Sequence, residues 1–230
     1  MNDEIIRLMR FLEFSDSAFP VGTFSFSNGL ESAAYEGIVH DADTLEQYAR
    51  TAVLQTVYSD AIAALIAHRA AADMNYDLIR EADEQVLLCK MNAEARLMLT
   101  RMGKKMAEIC TRISTLPLMS RWLDDIMHQR VNGTYPISQA LFFQQNGLRE
   151  QELFVTIEYG IVSMIVNAAL RCVKVSHYET QAILFRLSAK AANDYEMVKD
   201  MTFEDMRACA PEMDIIVSVH EKGKMRMFMN

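Results

Sequence analysis

Apolar residues recur every three or four positions along most of this chain and seldom at every second one. That spacing predicts helices rather than strands. A first helix is expected over about residues 3–14, with Ile5, Leu8, Met9 and Leu12 on one face. Residues 15–23 break it, and Asn28 is placed to cap a short helix ending near Gly37. Asp43 with Glu46 reads as a capping box that opens a long helix to about Asp73. Two further helices are expected over 77–92 and 93–113. The second carries Ala95, Met98, Leu99, Met102, Met106, Ile109 and Ile113 on one stripe. Pro117 suits the first position of the next helix, which carries Leu118, Trp122, Leu123 and Ile126 and ends at Asn132-Gly133. A shorter helix spans 136–145.

The segment 149–173 is apolar nearly all round, so it is expected at the centre of the fold. Ser176 with Glu179 opens a helix to about Lys199, and a short one covers 202–209, stopped by Pro211. Residues 215–219 have the β-branched character of a strand. With no partner strand in view, a helical turn is expected there instead. The fold class is therefore all-α: a single-domain bundle of about nine or ten helices over residues 1–230, with no internal repeat.

Composition narrows this picture. The chain has 230 residues, 51% apolar and 23% charged, which suits a soluble globular protein. At that length folding buries roughly 70% of the unfolded surface. A net charge of −8 gives no general attraction for phosphate backbones, so nucleic acid is not an expected partner. Cys89, Cys110, Cys172 and Cys209 show no short pairing and sit beside apolar neighbours, which points to a reducing compartment. The charged N-terminus lacks the apolar core of a signal peptide. The longest apolar run, 159–175, is interrupted by Asn167, Arg171 and Lys174, so no membrane span is expected. The cytoplasm is the expected location.

Catalytic and metal motifs are hard to find. Gly103-Lys104-Lys105 lacks the other parts of a phosphate-binding loop, and there is no His-Glu-x-x-His, Gly-x-Ser-x-Gly or Cys-x-x-Cys. His40, His68, His128, His177 and His220 have no His or Cys at helical ligand spacing. The repeat of Met98, Met102 and Met106 fits a core stripe better than a ladder of metal ligands. No cofactor, metal or catalytic residue is assigned from the residues alone.

Residues 14–31, FSDSAFPVGTFSFSNGLE, are unusual for a break between helices. Loops run over the surface, yet this one keeps Phe14, Phe19, Phe24 and Phe26. Pro20, Val21, Gly22, Phe24, Ser25, Ser27, Gly29, Leu30 and Glu31 resemble the N-terminal motif of the UreF family of urease accessory proteins. The resemblance continues through Glu94-Ala95-Arg96 and Met102-Gly103, where a mid-helix glycine suggests a close crossing. It continues through Gly133 to Pro136, with Tyr135 where the family often has His, and through Gln181, Ile183 and Leu184. Ala210-Pro211 and His220-Glu221 follow. In the tail, residues 222–230, Arg226 and Phe228 match the family's ending, whereas Met229 and Asn230 do not.

The resemblance implies an all-α, dimerising, non-enzymatic adaptor. It implies binding to the UreD/UreH accessory protein, recruitment of the UreG GTPase, and support of nickel insertion into apo-urease. The partner-binding residues it suggests are Phe24, Ser25 and Phe26 in the N-terminal segment, Tyr159 on the long helix, and His220, Glu221, Arg226 and Phe228 at the C-terminal end. Two rival readings stay open at this point: an all-α enzyme with a dispersed acid/base site, and a direct nickel carrier.

Overall fold

The computed structural model describes residues 2–22, 26–220 and 227–228. Among them there is no strand. The helices are α1 (Asn2–Ser15), α2 (Leu30–Tyr35), α3 (Ala42–Thr56), α4 (Ile62–Ala72), α5 (Tyr76–Leu88), α6 (Ala93–Ile113), α7 (Pro117–Met127), α8 (Tyr135–Gln145), α9 (Glu150–Cys172), α10 (His177–Ser188), α11 (Ala191–Val198) and α12 (Pro211–His220). A π-turn, Val57–Ala61, joins α3 to α4 as one rod. The all-α expectation holds, with eleven rods among the described residues rather than nine or ten.

The departures have local causes. The cap of α3 is Asp41 with Thr44, two residues ahead of the expected Asp43 and Glu46. Asp41 Oδ1 accepts from Thr44 N at 2.9 Å, and Thr44 Oγ1 accepts from Asp41 N at 3.1 Å. The expected helix 176–199 is two helices, broken over Ala189 and Lys190; its Ser176–Glu179 box is present. The short helix expected over 202–209 shrinks to a single 3-10 turn, Phe203–Asp205. Residues 215–219 are helical, inside α12.

Two apolar clusters share the interior. The first joins α4 to α8: Ala63, Ala64, Ala67, Ala70 and Ala71 of α4, Ile79 and Val86 of α5, Met98, Met102 and Met106 of α6, Trp122 of α7, and Leu141 to Phe143 of α8. Fully burying each of the large side chains contributes roughly 2 to 3 kcal/mol. The second cluster joins α2, α3, α9, α10 and α12 through Leu30, Leu45, Val53, Phe154, Ile165, Ile183 and Met213. Ile157 of α9 packs against both. The helix buried on every side is α8, whose residues 136–143 are all buried. The position expected of α9 is thus divided: it is the wall between two cores and keeps an exposed edge at Val155 and Tyr159.

By length and apolarity α9 does qualify as a potential membrane span, contrary to the expectation that none would. More than half of that stretch is buried in this fold, as in a core helix. Cys110 is buried and Cys209 is exposed, so the apolar surroundings expected for all four cysteines do not extend to Cys209.

Gly103 is where α6 meets the entry to α8. A Cβ there would lie 2.1 Å from Gly133 O and 2.6 Å from Tyr135 N, so the close crossing expected from the sequence is present. Asp83 of α5 holds the same loop. Its carboxylate accepts from Asn132 N, Gly133 N, Thr134 N and Thr134 Oγ1, at 2.6 to 3.0 Å. It thereby satisfies the backbone amides of the loop that leads into α8. In the π-turn, buried Asp60 pairs with Lys90 Nζ at 2.7 Å, and Ser59 Oγ accepts from the same ammonium at 3.3 Å.

Candidate functional site

The N-terminal segment is folded onto the body of the protein. After α1, Asp16 turns the chain: its Oδ1 accepts from Ala18 N at 2.8 Å and its carbonyl accepts from Phe19 N at 3.0 Å. Phe14 then packs edge-to-face on Phe19 and on Phe142 of α8, with centroids 5.1 and 4.5 Å apart. Such pairs add to the burial of the rings themselves. Val21 and Phe26 are buried beside them. Asn28 and Gly29 both take positive φ, and Gly29, rather than the expected Asn28, occupies the N-cap position of α2. A side chain at Gly29 would meet Val217 of α12 at 2.7 Å. Tyr48 of α3 fixes the turn by donating to Asn28 O at 2.7 Å.

The tail returns to this segment. Glu31, in the first turn of α2, accepts from Met227 N at 2.8 Å and from Phe228 N at 3.2 Å. The Phe228 ring is 4% exposed and belongs to the second cluster. The Arg171 guanidinium of α9 stacks over it at 4.0 Å, a cation–π contact. One carboxylate therefore ties the two ends of the chain together.

Arg171 also lines a groove of about 400 Å³ whose apolar walls include Phe14, Phe19, Phe26 and Met164. A second groove, about 510 Å³, lies between α1 and α9, walled by Phe11, Leu12, Val155, Val162 and Ala191. Ser15, Thr156 and Tyr159 border both. Tyr159, 41% exposed, stands on the ridge between them. Ser15 Oγ and Thr156 Oγ1 are 2.9 Å apart and pin the end of α1 to α9.

The face of α1 made by Ile5, Leu8, Met9 and Leu12 does not turn inward. These side chains and Ile6 are 48–63% exposed. They extend the apolar wall of the second groove into a surface along one helix. Contiguous exposed apolar area of this kind marks an interaction site.

Of the eight predicted partner-binding residues, three share this neighbourhood. Phe26 and Tyr159 line one groove, and Phe228 reaches the same groove through Arg171. Phe26 and Phe228 are anchored in their own chain, and Tyr159 faces outward. Phe24, Ser25, Glu221, Arg226 and the side chain of His220 lie outside the described residues. Sequence reasoning missed the α1 face and the two connectors Glu31 and Arg171 as site residues. The periodicity of α1 signalled a one-sided helix but not what covers that side.

Among the described residues, no three His, Cys, Asp or Glu side chains are gathered for a metal ion. One buried carboxyl pair sits behind the second groove: Glu158 and Asp194, with Arg50 bound to Asp194. Desolvation, then the charge of Asp194, pushes the Glu158 carboxyl up to about 7 against the pull of Arg50. Glu158 borders that groove, but both of its oxygens are closed to solvent.

The UreF family model matches residues 39–188. The chain is 42% identical over 223 residues to the urease accessory protein UreF 2 of Brucella canis, covering 97% of this chain and 92% of that one. The urease accessory protein UreF 1 of Brucella melitensis is equally similar, at 42% over 223 residues. Against the urease accessory protein UreF of Yersinia pestis the identity is 40% over 223 residues, covering 97% and 98% of the two chains.

Proposed function

Because the chain belongs to the UreF family of urease accessory proteins, we propose that it works in urease maturation as a non-catalytic, cytoplasmic adaptor. It binds the UreD/UreH accessory protein, recruits the UreG GTPase, and so supports delivery of nickel, the cargo, to apo-urease. It acts as a homodimer. The observation that carries the adaptor reading is the bare apolar face of α1, continuous with the groove beside Tyr159. Apolar surface left uncovered on a folded chain is stabilised by contact with another protein.

The ends of the chain support the same reading. Glu31 seats Met227 and Phe228 beside the N-terminal segment, so two stretches far apart in sequence present one combined surface. Phe228 serves as its internal anchor, with Arg226, Glu221 and His220 close to it in sequence. Phe24 and Ser25 adjoin buried Phe26 in the same way.

Copurification with a UreD/UreH homologue tests the proposal, with Leu12→Asp on the α1 face as the disrupting variant. The expected result is a stable complex for the wild type and its loss for the variant, with helix content unchanged. Absence of any complex between the wild type and urease maturation proteins overturns the reading. Calorimetry with nickel separates a carrier from an adaptor: tight binding by the isolated chain, lost on changing one His, would reassign it as a carrier.

A further inference from the structure

Three ionisable groups that the docking surface leaves unused meet between α3, α9 and α11. Asp194 on α11 is 1% exposed. Arg50 on α3 engages both of its oxygens: Nη2 donates to Oδ1 at 2.8 Å and Nη1 donates to Oδ2. Glu158 on α9 is 3% exposed and faces the same carboxylate. Neither Glu158 oxygen has a hydrogen-bond donor, and neither meets solvent.

Among the described residues, Arg50 is the one cation that acts on Glu158, and the other cations nearby are engaged elsewhere. The π-turn contributes Tyr58, which acts on Arg50 and is itself covered by the Arg207 guanidinium. Between α3 and α10, Arg186 is bound to Glu46. Between α1 and α9, Arg7 lies against Glu152. One guanidinium, itself partly exposed, therefore faces two carboxyl groups that are buried.

An ionised Glu158 here would be a buried acceptor with no donor, beside a like charge, which is strongly unfavourable. A neutral Glu158 removes the repulsion and supplies the missing donor, because a protonated carboxyl carries one O–H. We propose that Glu158 keeps a proton in the folded protein and donates it as a hydrogen bond to Asp194, so that the seat of α11 on α9 is a proton-dependent contact. Arg50 then has one negative partner to neutralise. The contact lies behind the groove, where Ala191 of α11 and Val162 of α9 are both wall residues. Loss of the proton puts two like charges between those helices and loosens that wall.

The direction of the pH effect follows. Burial and the charge of Asp194 hold the Glu158 carboxyl near 7, above its ordinary value of 4.5. The stability this contributes is fully present below the ordinary value and is lost as pH rises through about 7. The test is Glu158→Gln, whose amide keeps a donor towards Asp194 and cannot ionise. From about pH 5 to about pH 8.5, the unfolding constant of the wild type should rise on the order of 100-fold more than that of the variant.

Backbone amides of α11 should also lose hydrogen-exchange protection at the higher pH in the wild type and keep it in the variant. Parallel pH profiles for the two proteins overturn the proposal. Should the variant fail to fold, wild-type protein with isotope-labelled glutamate decides by infrared difference spectroscopy. A protonated-carboxyl band that disappears through neutral pH supports the assignment, and its absence at the acid end refutes it. These measurements need no partner protein, so their outcome is independent of the proposed adaptor role.

Discussion

Two mid-helix glycines, Gly103 and Gly160, should respond in opposite ways to the same added methyl group. Taken alone, Gly→Ala inside a helix stabilises by about 1 kcal/mol. At Gly160 nothing lies within 4 Å of the new Cβ, so Gly160→Ala should show most of that gain. At Gly103 the new carbon would fall 2.1 Å from Gly133 O, 2.5 Å from Thr134 C and 2.6 Å from Tyr135 N. All three are backbone atoms, and Asp83 holds their loop with four hydrogen bonds. No side chain can swing aside.

Overpacking of this kind costs about 1 to 3 kcal/mol, and the pinned loop places Gly103→Ala at the upper end. After subtracting the helix gain, a net loss of about 2 kcal/mol remains, roughly a 30-fold rise in the unfolding constant. Urea denaturation of the wild type and both variants reads this directly, provided the slope against denaturant stays constant. The reasoning fails if the two midpoints move in the same direction, or if Gly103→Ala matches the wild type.

Other outcomes follow from the same contacts. Asp83→Ala should destabilise by about 3 to 5 kcal/mol, because it strands two buried N–H groups, of Gly133 and Thr134, and the partly buried one of Asn132 in the loop leading into α8. Asp83→Asn, which keeps an acceptor, should lose distinctly less in the same denaturation assay. Deleting residues 225–230 should leave far-UV circular dichroism unchanged while weakening capture of a UreD/UreH homologue; equal capture would remove the tail from the interface. Glu31→Ala should weaken capture in the same direction, since it leaves the Met227 and Phe228 amides without their acceptor. Met9→Asp on α1 should change the chain's own stability by under about 0.5 kcal/mol, because the residue is exposed, and still reduce assembly measured by light scattering.

Much of the fold was legible because short-range chemistry dictates it. The stripe of Met98, Met102 and Met106 is buried as its spacing requires, and Gly103 marks the close crossing that its lack of a side chain suggested. The misses have physical origins. Asp41 and Asp43 are both able to cap α3, and the choice fell to the residue whose partner Thr44 could reach back. The break at Ala189 and Lys190 carries no Gly or Pro, so nothing local announced it. Burial of α11 against α9 through Asp194 requires the bend, and that is tertiary information. On α1, periodicity defined a face but held no record of whether its cover lies in the same molecule. The link from Glu31 to Phe228 spans almost the whole chain, beyond any local pattern.

The π-turn at Val57–Ala61 has a consequence for how this protein can change. One extra residue in a helix rotates everything downstream by about 100°. Here it acts as a phase shift. Upstream, Leu45, Ala49 and Val53 all point to the second cluster; downstream, Ala63, Ala67 and Ala70 point to the first, while Ile62 and Leu65 stay with the second. A single continuous rod thus belongs to both halves of the interior. Removing one residue anywhere in that turn would leave the rod intact and misdirect an entire side of α4. Length variation should therefore be excluded at this spot, although an ordinary helix would look indifferent to it.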